Sequence, residues 1–348
     1  MHPYVGLDSR AYWKTAVSAF SPLAFEDIYR PKVEITRQTR IGAAGSCFAQ
    51  HIGRQFKQRG YHYLDKEPAP PMMAQADRAR FGYDIYSARH GNLYSMRQMV
   101  QLLRRARGEF TPAETAWEQD GRWYDPFRPA IQPGGFATRD ELEADVAHHL
   151  AKVLDLVNDT QLQVFTFGLT ECWQTRADGA ALPTCPGTVA GAWDADKYAF
   201  VNYDYGDVMA DAEAFIALGR EHNPQIEFLF TVSPVPLTAT ATGGHVLPAS
   251  VYSKSVLRAV CGALEQKHSF VDYFPSYELV ASHPMRAMFF EPNLRAVSPV
   301  GVGHVMDTFF AAHGDTGGTT AAAGPAQTAA AREMDLVCEE EALEANAT

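Results

Sequence analysis

The fold class is decided by one stretch near the start of the chain, Arg40-Ile41-Gly42-Ala43-Ala44-Gly45-Ser46-Cys47-Phe48-Ala49. Residues 40–44 have the pattern of a short strand that ends in Gly45. Phe48, Ile52 and Phe56 then recur every four residues, which predicts a helix over residues 48–59. Many α/β enzymes mount a nucleophile on a strand, a tight glycine-containing turn and a helix. The stretch therefore predicts an α/β fold with a candidate active-site turn after its first strand.

The rest of the chain alternates strands and helices. Largely apolar runs at 163–168 and 226–232 are typical of parallel strands that are covered on both faces. A last short strand is predicted at 270–274, and helices are predicted over residues 93–107, 138–158, 210–222, 250–267 and 299–312. This order predicts one doubly wound parallel sheet flanked by helices, a flavodoxin-like three-layer sandwich. The carboxyl ends of the first three strands should share one edge of that sheet.

The composition divides the chain into three parts. Residues 1–39 are a mixed lead-in, residues 40–312 carry the α/β pattern, and residues 313–348 form a tail rich in Gly, Ala and Thr with an acidic end. Such a tail buries little apolar surface, so we predict that it is flexible and dispensable. Residues 107–135 are rich in turn residues, Trp and Tyr, which predicts an insertion that shapes the rim of a cleft.

The charge and the cysteines exclude several classes of protein. The formal charge is −11 at pH 7 without basic runs, which is unlike proteins that bind nucleic acid or anionic membranes. Arg97, Arg104, Arg105 and Arg107 fit the solvated face of one helix. No run approaches the ~18 apolar residues of a membrane span, and residues 1–14 lack a signal-peptide core, so we expect a cytoplasmic protein without membrane insertion. The five cysteines show no metal-binding or disulfide spacing, so neither a disulfide framework nor a zinc site is predicted. Nothing else in the sequence implies a metal or an organic cofactor.

The Gly45 turn holds two possible nucleophiles, Ser46 and Cys47. Unpaired N–H groups at a helix N-terminus favour a thiolate and can hold an oxyanion. Ser46 is well placed to cap the helix by accepting from the N–H of Phe48 or Ala49, which would leave the chemistry to Cys47. Alternatively, Cys47 packs as a small apolar residue, and Ser46 is the nucleophile or only a cap.

Other polar residues stand where an α/β sheet binds its ligands. Gly91 and Asn92 offer a main-chain N–H and a side-chain amide, which are usual oxyanion donors, unless Asn92 simply caps the next helix. Glu171 and Trp173 follow the strand at 163–168, and Ser233 follows the strand at 226–232. These three are candidate substrate-binding residues; the ordinary alternative is a surface carboxylate beside packed core residues.

Histidine is the natural base near neutral pH, and four histidines are candidates: His90, His245, His283 and His304. His245 follows two glycines in a loop, and His283 precedes Pro284 in another. His304 lies inside the last helix, where a packed or solvated role is ordinary. We therefore expect His245 or His283 to serve the turn.

Together these motifs resemble the GSCFA family, which is grouped with the SGNH/GDSL hydrolases. The resemblance runs from about residue 40 to residue 310 and includes the segments 45–49, 91–92, 168–173, 233–235, 253–254 and 273–278. It implies an SGNH hydrolase-like fold and acyl-transfer chemistry by an esterase or O-acyltransferase. The implied substrate is an ester such as an acylated carbohydrate, with Phe48, Gly91 and Asn92 as oxyanion donors.

Two positions depart from the SGNH pattern. An ungapped match of Gly-Asp-Ser to Gly45-Ser46-Cys47 places Cys47 at the nucleophile position. The late Asp-x-x-His falls at residues 293–296, where neither the Asp nor the His is present. Either another histidine acts as the base, or the chain is a catalytically degenerate SGNH-fold module that binds a glycan or a protein partner.

Overall fold

The chain is built around a parallel sheet of four strands, as seen in a computed structural model that describes residues 2–25, 27–315 and 343. Its strands, in spatial order, are β1 (Ile41–Gly45), β4 (Leu162–Phe167), β8 (Glu227–Val232) and β9 (Val271–Tyr273). Gly45 lies opposite Thr166, and Thr166 lies opposite Thr231, so the carboxyl ends of the first three strands are level. The predicted parallel neighbours and their common edge are confirmed.

Helices cover both faces of this sheet. The α-helices of the described residues are α1 (Ala49–Gln58), α2 (Gln75–Arg78), α3 (Met96–Ala106), α4 (Arg139–Asp159), α5 (Tyr205–His222), α6 (Val246–Lys267), α7 (Ser276–Ala281) and α8 (Pro299–Ala312). Shorter turns are a π-helix at Lys14–Ser18 and 3-10 helices at Ser9–Ala11, Ala79–Phe81 and His283–Met285. The predicted helices are confirmed; α5 and α6 begin several residues earlier than predicted.

Alternate side chains of each strand enter two separate cores. Phe165 and Phe230 pack with α3, α4, α5 and α6 on one face, whereas Ile41 and Val164 pack with α1, α7 and α8 on the other. Because successive residues of a strand point to opposite faces, a strand buried on both sides is largely apolar along its whole length. The continuous apolar runs therefore predicted the three-layer sandwich correctly.

Two small antiparallel sheets were not predicted. One is a hairpin of β2 (Trp117–Gln119) and β3 (Arg122–Tyr124), within the predicted insertion. The other joins β5 (Glu171–Thr175) to β6 (Ala181–Leu182) and β7 (Tyr198–Asn202). These strands are short, and β5 pairs with a strand well separated from it in sequence, so no local pattern marks them.

The lead-in contributes to the core. Tyr29, Val33 and Ile35 are buried against the face that carries α8, and the Tyr29 hydroxyl donates to Asp272 Oδ2 at 2.9 Å. The packed structure thus begins before residue 40. The prediction of a flexible tail over residues 313–348 lies outside the described residues, except for 313–315 and 343.

The prediction of a solvated arginine face on α3 is confirmed for Arg104, which is exposed, but not for Arg97 and Arg105, which are partly buried. Arg97 Nε lies 2.6 Å from the Asp211 carboxylate on α5, and the Arg105 guanidinium lies 3.9 Å from the centre of the Phe127 ring. Their long side chains cover neighbouring elements and reach a carboxylate or an aromatic face.

Membrane-spanning helices are absent from the described residues, because none of the helices there combines the length and the apolar composition that a bilayer requires.

Candidate active site

The turn after β1 is fixed by its neighbours on both sides. Gly45 has φ +136°, and a Cβ there would lie 2.5 Å from the main-chain oxygen of Thr166, so only glycine fits. The Ser46 N–H donates to that same oxygen at 3.0 Å, and the Leu93 N–H donates to the Gly45 oxygen at 2.9 Å. The turn is therefore held between the end of β4 and the segment 91–94.

Ser46 does not cap α1, so that prediction is wrong. The chain is already helical at Phe48 (φ −62°, ψ −26°), and the main-chain oxygen of Ser46, not its hydroxyl, accepts from the Ala49 N–H at 2.8 Å. Ser46 Oγ is buried and has no hydrogen-bond partner among the described residues. The reason for giving Ser46 a purely structural role is thus removed. Cys47 is also buried, at 4% exposed.

Asn92 is held beside the turn by a small polar cluster. Its Oδ1 accepts from the Tyr86 hydroxyl and from Gln50 Nε2, the latter at 3.2 Å. The Tyr86 hydroxyl also lies 3.4 Å from the main-chain oxygen of Ser46. Because the amide oxygen faces Tyr86 and Gln50, the donor end of the amide, Nδ2, faces away from them. Asn92 is not a helix cap: α3 is capped by Ser95.

One main-chain N–H group of the turn and one of the segment 91–94 are unpaired among the described residues. Those of Phe48 and Gly91 donate no hydrogen bond within residues 2–25, 27–315 and 343. The segment 91–94 lies against Gly45 and Ser46 through the contacts above. Unpaired N–H groups beside a nucleophile can stabilise the negative oxygen of a tetrahedral intermediate. The arrangement thus suits the chemistry of acyl transfer.

A buried ionic network supports the segment that carries Gly91 and Asn92. Glu67 Oε2 accepts from the Arg89 N–H and from His149 Nδ1, both at 2.6 Å. Burial alone would raise the pKa of Glu67, but the His149 hydrogen bond and nearby cations lower this pKa to about 2. Burial lowers the pKa of His149 to about 4, so neutral His149 donates to a Glu67 carboxylate at pH 7.

A cavity of about 220 Å³ lies next to this edge. Its wall includes Glu171, Trp173, Leu169, Leu237 and Leu343. The cavity begins one residue beyond Gly168, which packs against the Gly45 turn.

Glu171 anchors a loop as well as lining this cavity. Its Oε1 accepts from Thr240 Oγ1 at 2.5 Å, and its Oε2 accepts from the Ala241 N–H at 3.1 Å. Glu171 thereby ties β5 to the loop that follows β8. The third predicted substrate-binding residue, Ser233, is 1% exposed and does not line the cavity; its Oγ accepts from the Val235 N–H at 3.3 Å.

The predicted bases occupy different parts of the molecule. His245 is exposed at the N-terminus of α6, on the loop that leads from the shared sheet edge, and its Nδ1 accepts from the Leu247 N–H at 3.1 Å. His283 stacks on Trp13 of the lead-in at 5.3 Å and lines a separate cavity. The structure therefore brings His245, but not His283, to this side of the molecule. Ser46 Oγ accepts from neither histidine.

The other two histidines that the sequence offered as bases are packed against neighbouring residues. His304 stacks on Phe289 with 4.9 Å between ring centres. His90 precedes the segment 91–94, and its Nδ1 lies 2.7 Å from the Gly91 main-chain oxygen. In place of the late Asp-x-x-His, Asn293 Oδ1 accepts from the N–H groups of Arg295 and Ala296, at 3.0 Å each. No three His, Cys, Asp or Glu side chains are arranged to hold a metal in the described ranges.

Lys254 was not among the predicted site residues. It is 4% exposed, and its Nζ donates to the main-chain oxygen of Gly168, directly after β4. The spacing carried a signal, because Lys254 shares the helix face of Leu257 and Cys261, both fully buried. A lysine on the buried stripe of a helix marks a site that needs an explanation.

Comparison with known protein families gives a match that includes the turn. The GSCFA family model matches residues 40–309, which is most of the chain and includes the turn, the segment 91–94 and Lys254. No curated protein matches the chain. On this match, the chain belongs to the GSCFA family.

Proposed function

We propose that the chain is an acyl-transfer enzyme of the SGNH type, an esterase or O-acyltransferase that acts on an ester such as an acylated carbohydrate. The main support is the turn at residues 45–48. Two candidate nucleophiles stand there, the Phe48 N–H beside them has no acceptor among the described residues, and the segment that carries Gly91 and Asn92 lies against Gly45. The turn lies at the carboxyl edge of a parallel sheet, where open α/β sheets bind their ligands.

The reaction follows from these groups. Cys47 or Ser46 attacks the ester carbonyl, and the oxyanion is held by the N–H groups of Phe48 and Gly91 together with the Asn92 amide. The alcohol leaves, and water or a sugar hydroxyl then takes the acyl group from the enzyme. His245 is the histidine at this edge that could accept the proton. Because Ser46 and Cys47 are 2% and 4% exposed, the ester reaches them only after covering groups move.

The neighbouring cavity suits the substrate. Leu169, Trp173 and Leu237 give it apolar walls, while Glu171 and Thr240 place polar atoms at its rim. Pockets of this kind bind a ligand through apolar contact and orient it through a few polar groups. An acyl chain would occupy the apolar part. A carbohydrate on the alcohol side is an argument from superfamily analogy.

A second candidate is a catalytically degenerate module that binds a glycan or a protein partner. Ser46 Oγ has no histidine partner, and Asn293 and Ala296 stand where the late Asp and His would be. A turn that keeps its shape but lacks a base could bind an acyl sugar without cleaving it.

An ester screen separates the two functions. The full chain is assayed with p-nitrophenyl acetate, p-nitrophenyl butyrate and acetylated sugars, beside Cys47→Ala, Ser46→Ala and the control Ser255→Ala on α6. We expect wild-type hydrolysis, a loss of kcat of about 1,000-fold or more in the variant that lacks the nucleophile, and no change in Ser255→Ala. If the wild type cleaves no ester, yet calorimetry detects a glycan that both alanine variants still bind, the binding function replaces the enzyme.

A further inference from the structure

We propose that Lys254 is the general base of the Gly45 turn, in place of the histidine that the late Asp-x-x-His would supply. This inference rests on the proposed acyl-transfer function. It concerns how that chemistry proceeds in a chain that has Asn293 and Ala296 at the two late positions.

Lys254 extends from the helix that follows β8 to Gly168, the residue that follows β4. Lys254 lies on α6 and its side chain is buried, and its Nζ donates to the main-chain oxygen of Gly168. The preceding residue, Ser253, makes a parallel contact: its Oγ accepts from the Thr170 N–H at 2.9 Å. These two contacts fix the first part of α6 against the carboxyl end of β4.

Gly168 is the point where the amine and the turn meet. A Cβ built on Gly168 would lie 3.0 Å from Ser46 Cβ and 2.9 Å from the Tyr94 main-chain oxygen. The turn therefore packs directly on the main chain of Gly168, whose carbonyl holds Lys254 Nζ. No side chain of residue 168 separates the amine from the turn, and a larger residue could not be accommodated there.

A buried amine is suited to this role. Removal from water disfavours the ammonium form, so a buried lysine can accept a proton near neutral pH. Pairs of a nucleophilic serine and a lysine base occur on unrelated folds. The histidines are worse placed: His245 is exposed and caps α6 through Nδ1, and His283 stacks on Trp13.

Proton transfer to Lys254 accompanies the attack on the ester. The proton of Ser46 Oγ or Cys47 Sγ passes to Lys254 Nζ while the oxygen or sulfur bonds to the ester carbonyl carbon, and the carbonyl π electrons move to its oxygen. When the carbonyl re-forms, the bond to the alcohol oxygen breaks, and that oxygen takes the proton from Nζ. In the second half, water or a sugar hydroxyl gives its proton to Nζ and attacks the acyl carbon. The nucleophile then leaves and recovers the proton.

The alternative role of Lys254 is a structural clamp on the Gly168 carbonyl. The test must therefore distinguish a Lys254 that accepts a proton from one that only supplies a positive charge or a hydrogen bond to the Gly168 carbonyl. Lys254→Arg keeps a cation that can donate to the carbonyl, but a guanidinium does not lose its proton in proteins. Lys254→Met keeps the length of the side chain and removes both the charge and the donor.

The experiment measures activation of the turn without substrate turnover. The full-length wild type, Lys254→Arg, Lys254→Met and the exposed same-helix control Lys267→Met are treated at pH 7.5 with iodoacetamide and, separately, with a fluorophosphonate. Labelling of the peptide that contains residues 45–49 is followed by mass spectrometry, with the melting temperature of each variant and its p-nitrophenyl acetate hydrolysis measured alongside.

We expect the wild type and Lys267→Met to be labelled equally fast, and both Lys254 variants to be labelled about 100-fold more slowly. If Lys254→Arg is labelled as fast as the wild type, Lys254 acts as a charge or clamp and the proposal is overturned. An unlabelled wild-type turn overturns it too. Slow labelling of both variants without any ester hydrolysis by the wild type would leave the base assignment standing and refute the proposed function instead. If Lys254→Met does not fold, the arginine variant decides.

Discussion

At the scale of single residues, Ser46 shows how a hydroxyl can lie at a helix start without capping it. The sequence places a serine two residues before a helix, where its Oγ commonly accepts a main-chain N–H. In the structure α1 begins only at Ala49, and the Ser46 carbonyl, not its hydroxyl, accepts from the Ala49 N–H, so Oγ is left buried without a partner among the described residues. The hydrogen bonds therefore do not show which of Ser46 and Cys47 is the nucleophile, and the reactivity of the two side chains must decide.

The rate of alkylation should rank the cysteines by the reactivity of their thiols. Burial raises the pKa of Cys172 and of Cys185 to about 11 and also raises the pKa of Cys261, so their thiolates are scarce at pH 7. Cys47 precedes the N-terminus of α1, and both the helix dipole and the Phe48 N–H, which has no acceptor among the described residues, favour a thiolate there. In a chain carrying Cys338→Ser, iodoacetamide should modify Cys47 faster than the other three, as followed by peptide mass. Equal rates for Cys47 and Cys185 would contradict this ranking.

Buried neutral histidines make the protein sensitive to acid. Burial lowers the pKa of His51 to about 3, and of His149 and His313 to about 4, from an ordinary value of 6.5. The unfolded chain gains these protons below pH 6.5 while the folded chain does not. The free energy of unfolding should therefore be constant above that pH and fall from pH 6.5 towards pH 4.

Urea unfolding at half-unit pH steps measures this loss. His149 alone should account for about 3 kcal/mol between pH 6.5 and pH 4, so His149→Gln should flatten the curve, whereas the exposed control His245→Gln should not. A curve of unchanged slope in His149→Gln would show that His149 is protonated in the folded state.

At the scale of elements, β1 and β4 approach so closely at Gly45 that the turn depends on it. A Cβ at Gly45 would lie 2.5 Å from the Thr166 oxygen, and φ is +136°, so Gly45→Ala must shift β4 or open the turn. Gly121 in the β2–β3 hairpin also has positive φ (+71°), but a Cβ added there would meet no atom within 4 Å, which makes Gly121 a matched control.

We expect Gly45→Ala to lower the free energy of unfolding by about 3 kcal/mol or more and to abolish labelling of the turn, because both strain and a backbone clash act there. Gly121→Ala carries only the conformational strain and should cost about 1 kcal/mol. Thermal and urea unfolding of the two variants compare them directly. Similar losses would mean that the contact with Thr166 relaxes without cost.

At the scale of the whole molecule, the tail meets the site through one described residue. Leu343 lines the cavity that also contains Glu171 and Trp173. The composition of residues 316–348, rich in Gly, Ala and Thr, predicts little contribution to the core. Stability and access to the cavity should therefore respond differently when the tail is removed.

A chain that ends at Asp315 should keep its melting temperature within about 1 °C, because α8 and the core lie before that point. It should also show a lower KM for p-nitrophenyl butyrate, since the Leu343 side chain no longer occupies the cavity wall. Leu343→Ala should reproduce the change in KM, and Leu294→Ala, exposed in a distant loop, should not. A fall of several degrees would show that the tail stabilises the domain.

The sequence by itself determined the layers of this protein. Continuous apolar strands such as 163–168, and helices with one apolar face, are local patterns that only a sheet covered on both sides satisfies. It also placed the turn, Glu171 and Ser233 near one edge, because parallel strands end together. The strands of the second sheet, the buried position of Ser46 Oγ and the contact of Lys254 with Gly168 were decided by the tertiary structure alone. Each depends on which residues distant in sequence pack together, and close packing distances are set by the whole core rather than by any local pattern.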